Sequence, residues 1–453
     1  MGEESAAPAA TRVGDGEASP AVGLLQALLR IDTSNPPGNE EPAQELLAQT
    51  LSDAGFDCEL AAAQAGRPNL IARLPGQGSG PTLCLLGHAD TVPADPSEWS
   101  FDPWAGDIVD AQVRGRGAQD MKDQVAAEVA AAASLAREGW RPAGGELMVV
   151  VTADEETGAT LGARWLCREH PEKVRCDYVL NEGGGVSFEF QGRRAYTLCV
   201  GEKGPCRFSI RARGVAGHAS LPGLGDNALL KLAPALERLR RQPPLEPTSE
   251  GAEFVSVLTG ERIDPSDSAA LAGAVERLRA ADPQIAGYLV DPMLRVTLVP
   301  TQASASPKEN VIPSAAEVLV DCRVPPGMGH EEALEQARAV LGEAGEGLEL
   351  EFTDPVVGNR SPFDSPLADG IRDWLAEADP DAVLVPIVMA GFSDSHWFRE
   401  AFDSAVVYGF CPQREIPLPE AAQLVHGADE RAAVADVELA ERFYRDIVQE
   451  VLG

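Results

Sequence analysis

The chain has 453 residues, of which 44% are hydrophobic, and a formal net charge of −34 at pH 7. This length exceeds what one core ordinarily needs and predicts about two or three domains. The strong negative charge argues against a nucleic-acid partner. No apolar run reaches the roughly 18 residues that span a bilayer, which argues against a membrane protein.

Two further features predict a soluble, cytoplasmic protein. Glu3 and Glu4 stand where a signal peptide would carry a basic region followed by an apolar one. The eight cysteines are widely spaced, form no CxxC pair and lie mostly in apolar, strand-like runs. Reduced thiols in a protein core explain such cysteines better than disulfides or a zinc knuckle.

In chain order, residues 1–19 lack a periodic apolar pattern and predict a disordered acidic tail. Over residues 20–200, helical segments such as AVGLLQALLRI alternate with apolar runs such as TLCLLG and LMVVVT. This alternation predicts an α/β fold with a mostly parallel sheet flanked by helices.

The pattern changes over residues 201–355. Segments that alternate with period two, including RFSIRARG, FVSVLTGE and AAEVLVDCRV, predict strands, and NALLKLAPALERL and HEEALEQARAVLGEA predict two helices. These residues predict an inserted, smaller α+β domain. The alternation of strands and helices returns over residues 356–453, so we expect the larger α/β domain to resume there.

Six polar side chains stand mainly where an apolar run gives way to a polar or glycine-rich segment. They are His88, Asp120, Glu155, Glu156, Glu182 and His426. Strand ends are the usual place for functional groups on an α/β scaffold. Imidazoles and carboxylates together are typical metal ligands, so the set predicts a metal site with one carboxylate to spare.

Each residue taken alone also has a purely structural explanation. A histidine at a strand end is more often structural than a ligand. Asp120 is placed to cap a helix, and the pair Glu155–Glu156 could form a solvated turn. Asp90, two residues after His88, can face the same side of a strand and orient the imidazole.

The segments GHADTVP, GRGAQDMKD, ADEETG, NEGG, GHAS and HGADE, in this order, resemble the motif series of the M20 family of zinc peptidases and aminoacylases. The resemblance implies two Zn²⁺ ions, with Co²⁺ or Mn²⁺ as substitutes, bridged by Asp120. It assigns His88 and Glu182 to one ion and Glu156 and His426 to the other. Glu155 would be the general base, and Asp90 would orient His88.

The inserted domain supplies further residues by the same resemblance. His218 in GHAS would polarise the scissile carbonyl, and Asn310 and Arg323 would bind a substrate carboxylate. Gly391 and Ser393 in GFSDSHWF would line a substrate loop. For Asn310 and Arg323, a turn residue and a solvated strand residue are the structural alternatives. The resemblance also implies a homodimer through residues 201–355.

Two positions depart from the family pattern: Asp123 stands where glycine is common, and Phe392 where a smaller residue is common. The expected function is hydrolysis of an amide or peptide bond in a small substrate with a free carboxylate, of carboxypeptidase or dipeptidase type. An aminoacylase-type deacylase is the alternative. A non-catalytic metal-binding homologue and a dinuclear-metal phosphoesterase are more remote ones, and the chain has no P-loop or basic cluster to receive phosphate.

Overall fold

The structure is a computed structural model that describes residues 19–353 and 355–453. The expected acidic tail therefore lies outside the described residues, except for Ser19. The Ser19 side chain accepts a hydrogen bond from the Val22 backbone and caps the first helix. The described chain forms two compact units. The first comprises the residues up to Leu198 with Asp364–Leu384 and Trp397–Gly453, and the second comprises Cys199–Phe363 and Val385–His396.

The N-terminal part of the chain alternates helices and strands, as the sequence predicts. Its elements are α1 Pro20–Leu29, α2 Glu41–Ser52, β1 Asp57–Gln64, β2 Arg67–Pro75, β3 Thr82–His88, β4 Asp107–Val109, β5 Gln112–Arg114, α3 Lys122–Arg137, β6 Glu146–Thr152, α4 Ala163–Glu169, α5 Pro171–Val174, β7 Tyr178–Asn181, β8 Ser187–Phe190 and β9 Arg193–Glu202.

The middle of the chain contains most of the second unit. Its elements are β10 Gly204–Pro205, β11 Phe208–Arg213, β12 Gly217–His218, α6 Ala228–Arg238, α7 Ser249–Thr259, α8 Ser268–Ala281, α9 Pro283–Ile285, α10 Asp291–Met293, β13 Thr297–Ser304, β14 Val311–Ile312, β15 Ala315–Val324, α11 His330–Leu341, β16 Glu349–Phe352 and β17 Asn359–Arg360.

The C-terminal part returns to alternating strands and helices. Its elements are α12 Pro366–Ala378, β18 Val383–Met389, α13 Ser395–Ala401, β19 Val406–Gly409, α14 Leu418–Leu424, β20 Arg431–Ala433 and α15 Val434–Leu452.

The first unit is built on a mixed sheet with the strand order β1-β2-β6-β3-β7-β19. β3 pairs in parallel with β6 and β7, and β7 pairs in parallel with β19, whereas β1, β2 and β6 pair antiparallel. The central strands β3 and β6 are buried almost throughout, which explains their continuous apolar sequence. Helix α3 packs against α1, α15 and β3. The predicted mostly parallel α/β sheet flanked by helices is confirmed.

The second unit contains a five-stranded sheet in which β15 is central. It pairs antiparallel with β10, β11 and β13, and β11 also pairs with β16. Buried apolar side chains of this sheet pack with those of α6 and α11 to form one core. The expected inserted domain, residues 201–355, falls within the range of this unit.

One segment of the second unit differs from its prediction. FVSVLTGE was expected to be a strand, but it lies mainly in helix α7, whose first turn Thr248 caps by accepting from Gly251. Phe254, Val255 and Leu258 are buried on one helical face. In a short run that contains β-branched residues, the pattern of apolar residues does not distinguish a helix from a strand. Helix α8 was not predicted.

Two global expectations can be compared with the described residues. All eight cysteines are free thiols, and every one except Cys58 is buried. Among the residues described, we find no helix long and apolar enough to cross a membrane.

Candidate metal centre

Three parallel strands bring separate parts of the chain to one edge of the sheet. His88 is the last residue of β3 and lies opposite Thr152, the last residue of the neighbouring β6. The turn that follows β6 carries Glu155 and Glu156, and Glu182 directly follows β7. Because the carboxyl ends of parallel strands meet at the same edge, these four side chains gather there.

Two loops from distant parts of the sequence complete the cluster. Asp120 precedes helix α3, and His426 follows helix α14. The strands β5 and β20 pair antiparallel next to these loops, with Arg114 opposite Arg431. His426 has a left-handed backbone conformation with φ 61°, which is uncommon for a residue other than glycine.

Asp120 offers its two carboxylate oxygens to two different histidines. His88 Nε2 lies 3.1 Å from Asp120 Oδ1 and 3.8 Å from Glu182 Oε1. His426 Nε2 lies 3.0 Å from Asp120 Oδ2 and 3.1 Å from Glu156 Oε2. Within each of these two groups the ligand atoms all lie within 4.8 Å of one another. The cluster is therefore two donor sets that share one carboxylate.

The chemistry of these donors fits a pair of dications. Each set combines one imidazole nitrogen with carboxylate oxygens, a mixture that suits zinc and similar metals. The Glu156 side chain is buried, and its Oε1 has no hydrogen-bond partner. A buried, unpaired carboxylate oxygen is costly, and a bound cation would satisfy it.

The mutual influence of these groups is visible in their pKa values. Burial lowers the pKa of His88, but hydrogen bonds to Asp120 and Asp90 and the charges of Glu155 and Glu182 raise it well above its usual range. Bonds to Asp120 and Glu156 raise the pKa of His426 to about 10.

The same histidines act on the carboxyl groups. Burial raises the pKa of Asp120, but the hydrogen bonds from His426 and His88 outweigh it and hold the pKa well below its usual range. Burial raises the pKa of Glu156 despite the bond from His426. The raised pKa values of both histidines show that the surrounding carboxylates favour positive charge at this site.

Comparison with known proteins identifies the family. The sequence profile described as Peptidase family M20/M25/M40 matches residues 84–450. The chain belongs to this family. It is therefore a hydrolase of the M20 type, and its first unit contains a candidate metal site.

The relatives of this M20 hydrolase include proteins named succinyl-diaminopimelate desuccinylase. One from Cereibacter sphaeroides is 28% identical over 445 residues, covering 95% of this chain and 98% of the relative. Another from Acidiphilium cryptum is 34% identical over 296 residues, covering 62% of this chain and 73% of the relative.

Solved structures of the family share the fold. An M20 family metallo-carboxypeptidase, Sso-CP2 from Sulfolobus solfataricus, matches with a TM-score of 0.71 and 18% identity, covering 95% of this chain and 99% of that one. The Bacillus subtilis protein YXEP, described as a dinuclear metal binding peptidase of the M20 family, matches with a TM-score of 0.57 and 14% identity, covering 95% and 97%.

In the M20 hydrolase, Asp90 contacts both His88 and the turn after β6. His88 Nδ1 lies 3.0 Å from the Asp90 carbonyl oxygen and 3.5 Å from its Oδ1. The Asp90 carboxylate also accepts hydrogen bonds from the backbone N–H groups of Glu155 and Glu156, each at 3.2 Å. Asp90 therefore connects the imidazole to the two acidic residues as well as orienting it.

Sequence reasoning missed a buried network behind this turn. Asn35 Nδ2 donates to Asp90 Oδ2 at 2.8 Å and to Asp154 Oδ1 at 3.2 Å. Asp154, which has a left-handed backbone with φ 67°, also accepts from Arg67 at 3.2 Å. Arg67 in turn forms a buried ion pair with Glu40. The turn-rich segment SNPPGNE, which holds Asn35, was the available signal.

The second unit carries the remaining predicted residues. His218 is exposed in β12, and its Nδ1 lies 2.8 Å from Ser220 Oγ. Strand β14 pairs with β12, and the carbonyl of the exposed Asn310 accepts from the Ala219 backbone at 3.0 Å. The structure thus brings the backbones of the His218 and Asn310 segments together within this unit.

Arg323 and the segment after β18 lie elsewhere in the second unit. The Arg323 Nε donates to Asp321 Oδ1 on the same strand at 2.8 Å. Gly391 is exposed. Ser393 is buried, and Glu202 accepts from its backbone N–H at 3.0 Å and from its Oγ at 2.6 Å.

The two departures from the family pattern have different surroundings. Asp123 is buried in the first turn of α3, and its Oδ2 accepts from Gln413 Nε2 at 3.2 Å. It belongs to neither donor set. Phe392 is half-buried, and its ring lies 4.7 Å from the His396 ring.

Proposed function

We propose that the chain is a dinuclear-metal amidohydrolase that cleaves an amide or peptide bond in a small substrate with a free carboxylate. The observation that carries this proposal is the sharing of Asp120 between two donor sets, one through Oδ1 and the other through Oδ2. A carboxylate that faces two imidazoles through different oxygens suits a pair of bridged ions better than a single one.

The donor sets assign residues to each ion. His88 and Glu182 would hold one Zn²⁺, Glu156 and His426 the other, and Asp120 both, with Co²⁺ or Mn²⁺ as substitutes. When bound, such ions lower the pKa of a coordinated water toward neutrality and polarise a carbonyl oxygen.

Glu155 is the proposed general base. Its backbone is held by Asp90, and its charge acts on His88, which supports a position close to the reacting groups. In this role its carboxylate accepts a proton from the attacking water and returns it to the leaving nitrogen. Asp90 would fix the positions of His88 and Glu155 relative to each other.

The second unit is proposed to supply the substrate-binding residues. His218 would donate to the carbonyl oxygen as charge develops. Arg323 and Asn310 would bind the substrate carboxylate, for which a guanidinium has the matching geometry. Gly391 and Ser393 would shape the loop near the side chain of the substrate.

Two substrate classes are consistent with this site. The first is a short peptide, as for a carboxypeptidase or dipeptidase. The second is an N-acylated amino acid. The relatives that cover 95% of this chain and are named succinyl-diaminopimelate desuccinylase favour this second class.

A panel of dipeptides, N-acetyl amino acids and N-succinyl amino acids, assayed with the Zn²⁺- and Co²⁺-loaded protein, tests the proposal. Cleavage of dipeptides supports the first class, and cleavage confined to the acylated substrates supports the second. If the loaded protein cleaves no member of the panel, the proposed reaction is wrong.

We also propose a homodimer formed through residues 201–355 and a cytoplasmic location. Leu224 and Leu230 of the second unit are 73% and 68% exposed, and large exposed apolar side chains of this kind would be covered in a subunit interface. Sedimentation of the wild type and of Leu224→Glu and Leu230→Glu tests the dimer, because a charged side chain should shift an assembly through this surface toward monomers. The free, mostly buried cysteines support a reducing compartment.

A further inference from the structure

The carboxylate of Glu430 accepts four hydrogen bonds from the loop that carries Asp120. Oε2 accepts from Arg116 Nη1 at 2.5 Å and from the Gly117 backbone at 2.9 Å. Oε1 accepts from the backbones of Gln119 at 2.7 Å and Asp120 at 3.1 Å. Glu430 is fully buried. All four partners are donors, which is the hydrogen-bonding pattern of an ionised carboxylate.

Arg116 extends this contact to the loop that carries His426. Its Nη2 donates to the carbonyl oxygens of His426 at 3.3 Å and Gly427 at 2.9 Å. Arg116 is itself buried, and its guanidinium lies 5.1 Å from the ring centre of Trp99. One buried ion pair therefore joins two loops that lie about three hundred residues apart in sequence.

These two loops need such support for physical reasons. His426 has a left-handed backbone, a conformation that costs roughly 1–2 kcal/mol for a residue with a side chain and persists only where neighbouring groups hold it. Asp120 must also stay near Glu156, a second carboxylate, since an oxygen of each lies within 3.1 Å of His426 Nε2. When no cation is bound, like-charge repulsion between carboxylates opposes this arrangement.

We propose that Glu430 and Arg116 are positioning residues that hold Asp120 and His426 at metal-binding distance before an ion arrives. This inference rests on the proposed metal centre and adds a buried residue pair that lies outside both donor sets. Preorganisation of this kind increases affinity because the protein need not reorder its ligands on binding. Removing a group that orients a metal ligand typically weakens affinity by about 10–100-fold.

The first test compares Glu430→Gln with the wild type. The substitution keeps the size of the side chain but replaces one acceptor oxygen with an NH₂ group, which would face N–H donors instead of accepting from them. Glu128→Gln is a matched control, because Glu128 is also fully buried in the first unit and accepts from Gln124 at 2.9 Å. It lies outside both donor sets.

Each metal-free protein is titrated with Co²⁺, with the visible absorption spectrum and equilibrium dialysis as readouts. We expect Glu430→Gln to bind about 10–100-fold more weakly with an altered spectrum, and Glu128→Gln to bind as the wild type does. Unfolding midpoints of the metal-free proteins are measured alongside. If Glu430→Gln lowers the midpoint but leaves the affinity and spectrum unchanged, the ion pair is merely structural and the proposal is overturned. An equal loss in Glu128→Gln also overturns it.

Arg116→Lys provides a second variant in case Glu430→Gln does not fold. It keeps the positive charge, but one ammonium group cannot span Glu430 and the carbonyls of His426 and Gly427 as the guanidinium does. We expect weaker Co²⁺ binding, and wild-type affinity would overturn the proposal. If the wild type itself binds no Co²⁺, the proposed metal centre fails and this role fails with it. If the wild type and both variants each bind two ions with equal affinity, the positioning role is refuted but the proposed metal centre is not.

Discussion

Replacing Asp123 with asparagine should stabilise the protein, and the gain should grow with pH. Asp123 is only 5% exposed, and burial, together with the charges of Glu430 and Asp120, raises its pKa to about 8. Its Oδ1 has no hydrogen-bond partner, and neither has Gln413 Oε1. An asparagine at this position could donate from its NH₂ group to Gln413 Oε1 and accept from Gln413 Nε2 with its oxygen, so that neither side chain keeps an unpaired polar atom.

The size and sign of this effect follow from proton linkage. The pKa is raised from an ordinary value of 3.8 to about 8. Between these pH values the unfolded chain has released a proton that the folded protein keeps, so the stability of the wild type falls as pH rises. At pH 7 about three pH units of this window have been crossed. At about 1.4 kcal/mol per unit, the free energy of unfolding that the wild type has lost by pH 7 is at most about 4 kcal/mol. Asparagine does not titrate, so the variant avoids this loss.

Thermal unfolding midpoints at a series of pH values from 5 to 9 test the prediction, with and without Zn²⁺. We expect the variant to exceed the wild type by several degrees at pH 7, with a difference that grows to about pH 8 and is then constant. Asp381→Asn is the control, because it makes the same substitution at an exposed position. A variant that is less stable than the wild type, or a difference that does not change with pH, would refute the reasoning.

Three further predictions concern the centre and its support. Glu155→Gln should keep two bound ions, measured by elemental analysis, while hydrolysis falls about 10²–10⁴-fold; unchanged hydrolysis would mean that another group is the base. Asn35→Ala should lower the free energy of unfolding by about 1–3 kcal/mol, measured by denaturant titration, because the buried Asp90 carboxylate loses a donor at 2.8 Å. Arg67→Met should lower it by about 3–5 kcal/mol by leaving the Glu40 charge buried and unpaired. Arg67→Met with Glu40→Leu should lose much less, and an equal loss would contradict the ion-pair explanation.

The sequence was informative where a polar residue interrupts an apolar run. His88 and Glu182 were found because His88 ends a buried strand and Glu182 directly follows one, and parallel strands bring their carboxyl ends to one edge. The sheet itself was predictable for the same reason, since TLCLLG and LMVVVT are apolar at successive positions. Asp120 and His426 lie in loops. The apolar pattern around them did not predict a functional role, and only the motifs that contain them did.

Other features could not be derived from local patterns. FVSVLTGE is β-branched and apolar enough for a strand, yet the Thr248 cap and the packing of Phe254 make it helical. The role of Glu430 depends on backbone N–H groups more than three hundred residues away. Such contacts are set by tertiary structure and leave no spacing signal, although Glu430 lies in the quoted segment HGADE.

The central claim is that two metal ions share Asp120. Anomalous diffraction from crystals grown with Zn²⁺ tests this claim most directly. We expect two zinc peaks per chain, one within bonding distance of Asp120 Oδ1 and His88, the other within bonding distance of Asp120 Oδ2 and His426. A single peak, or two peaks of which only one contacts Asp120, would contradict the dinuclear centre.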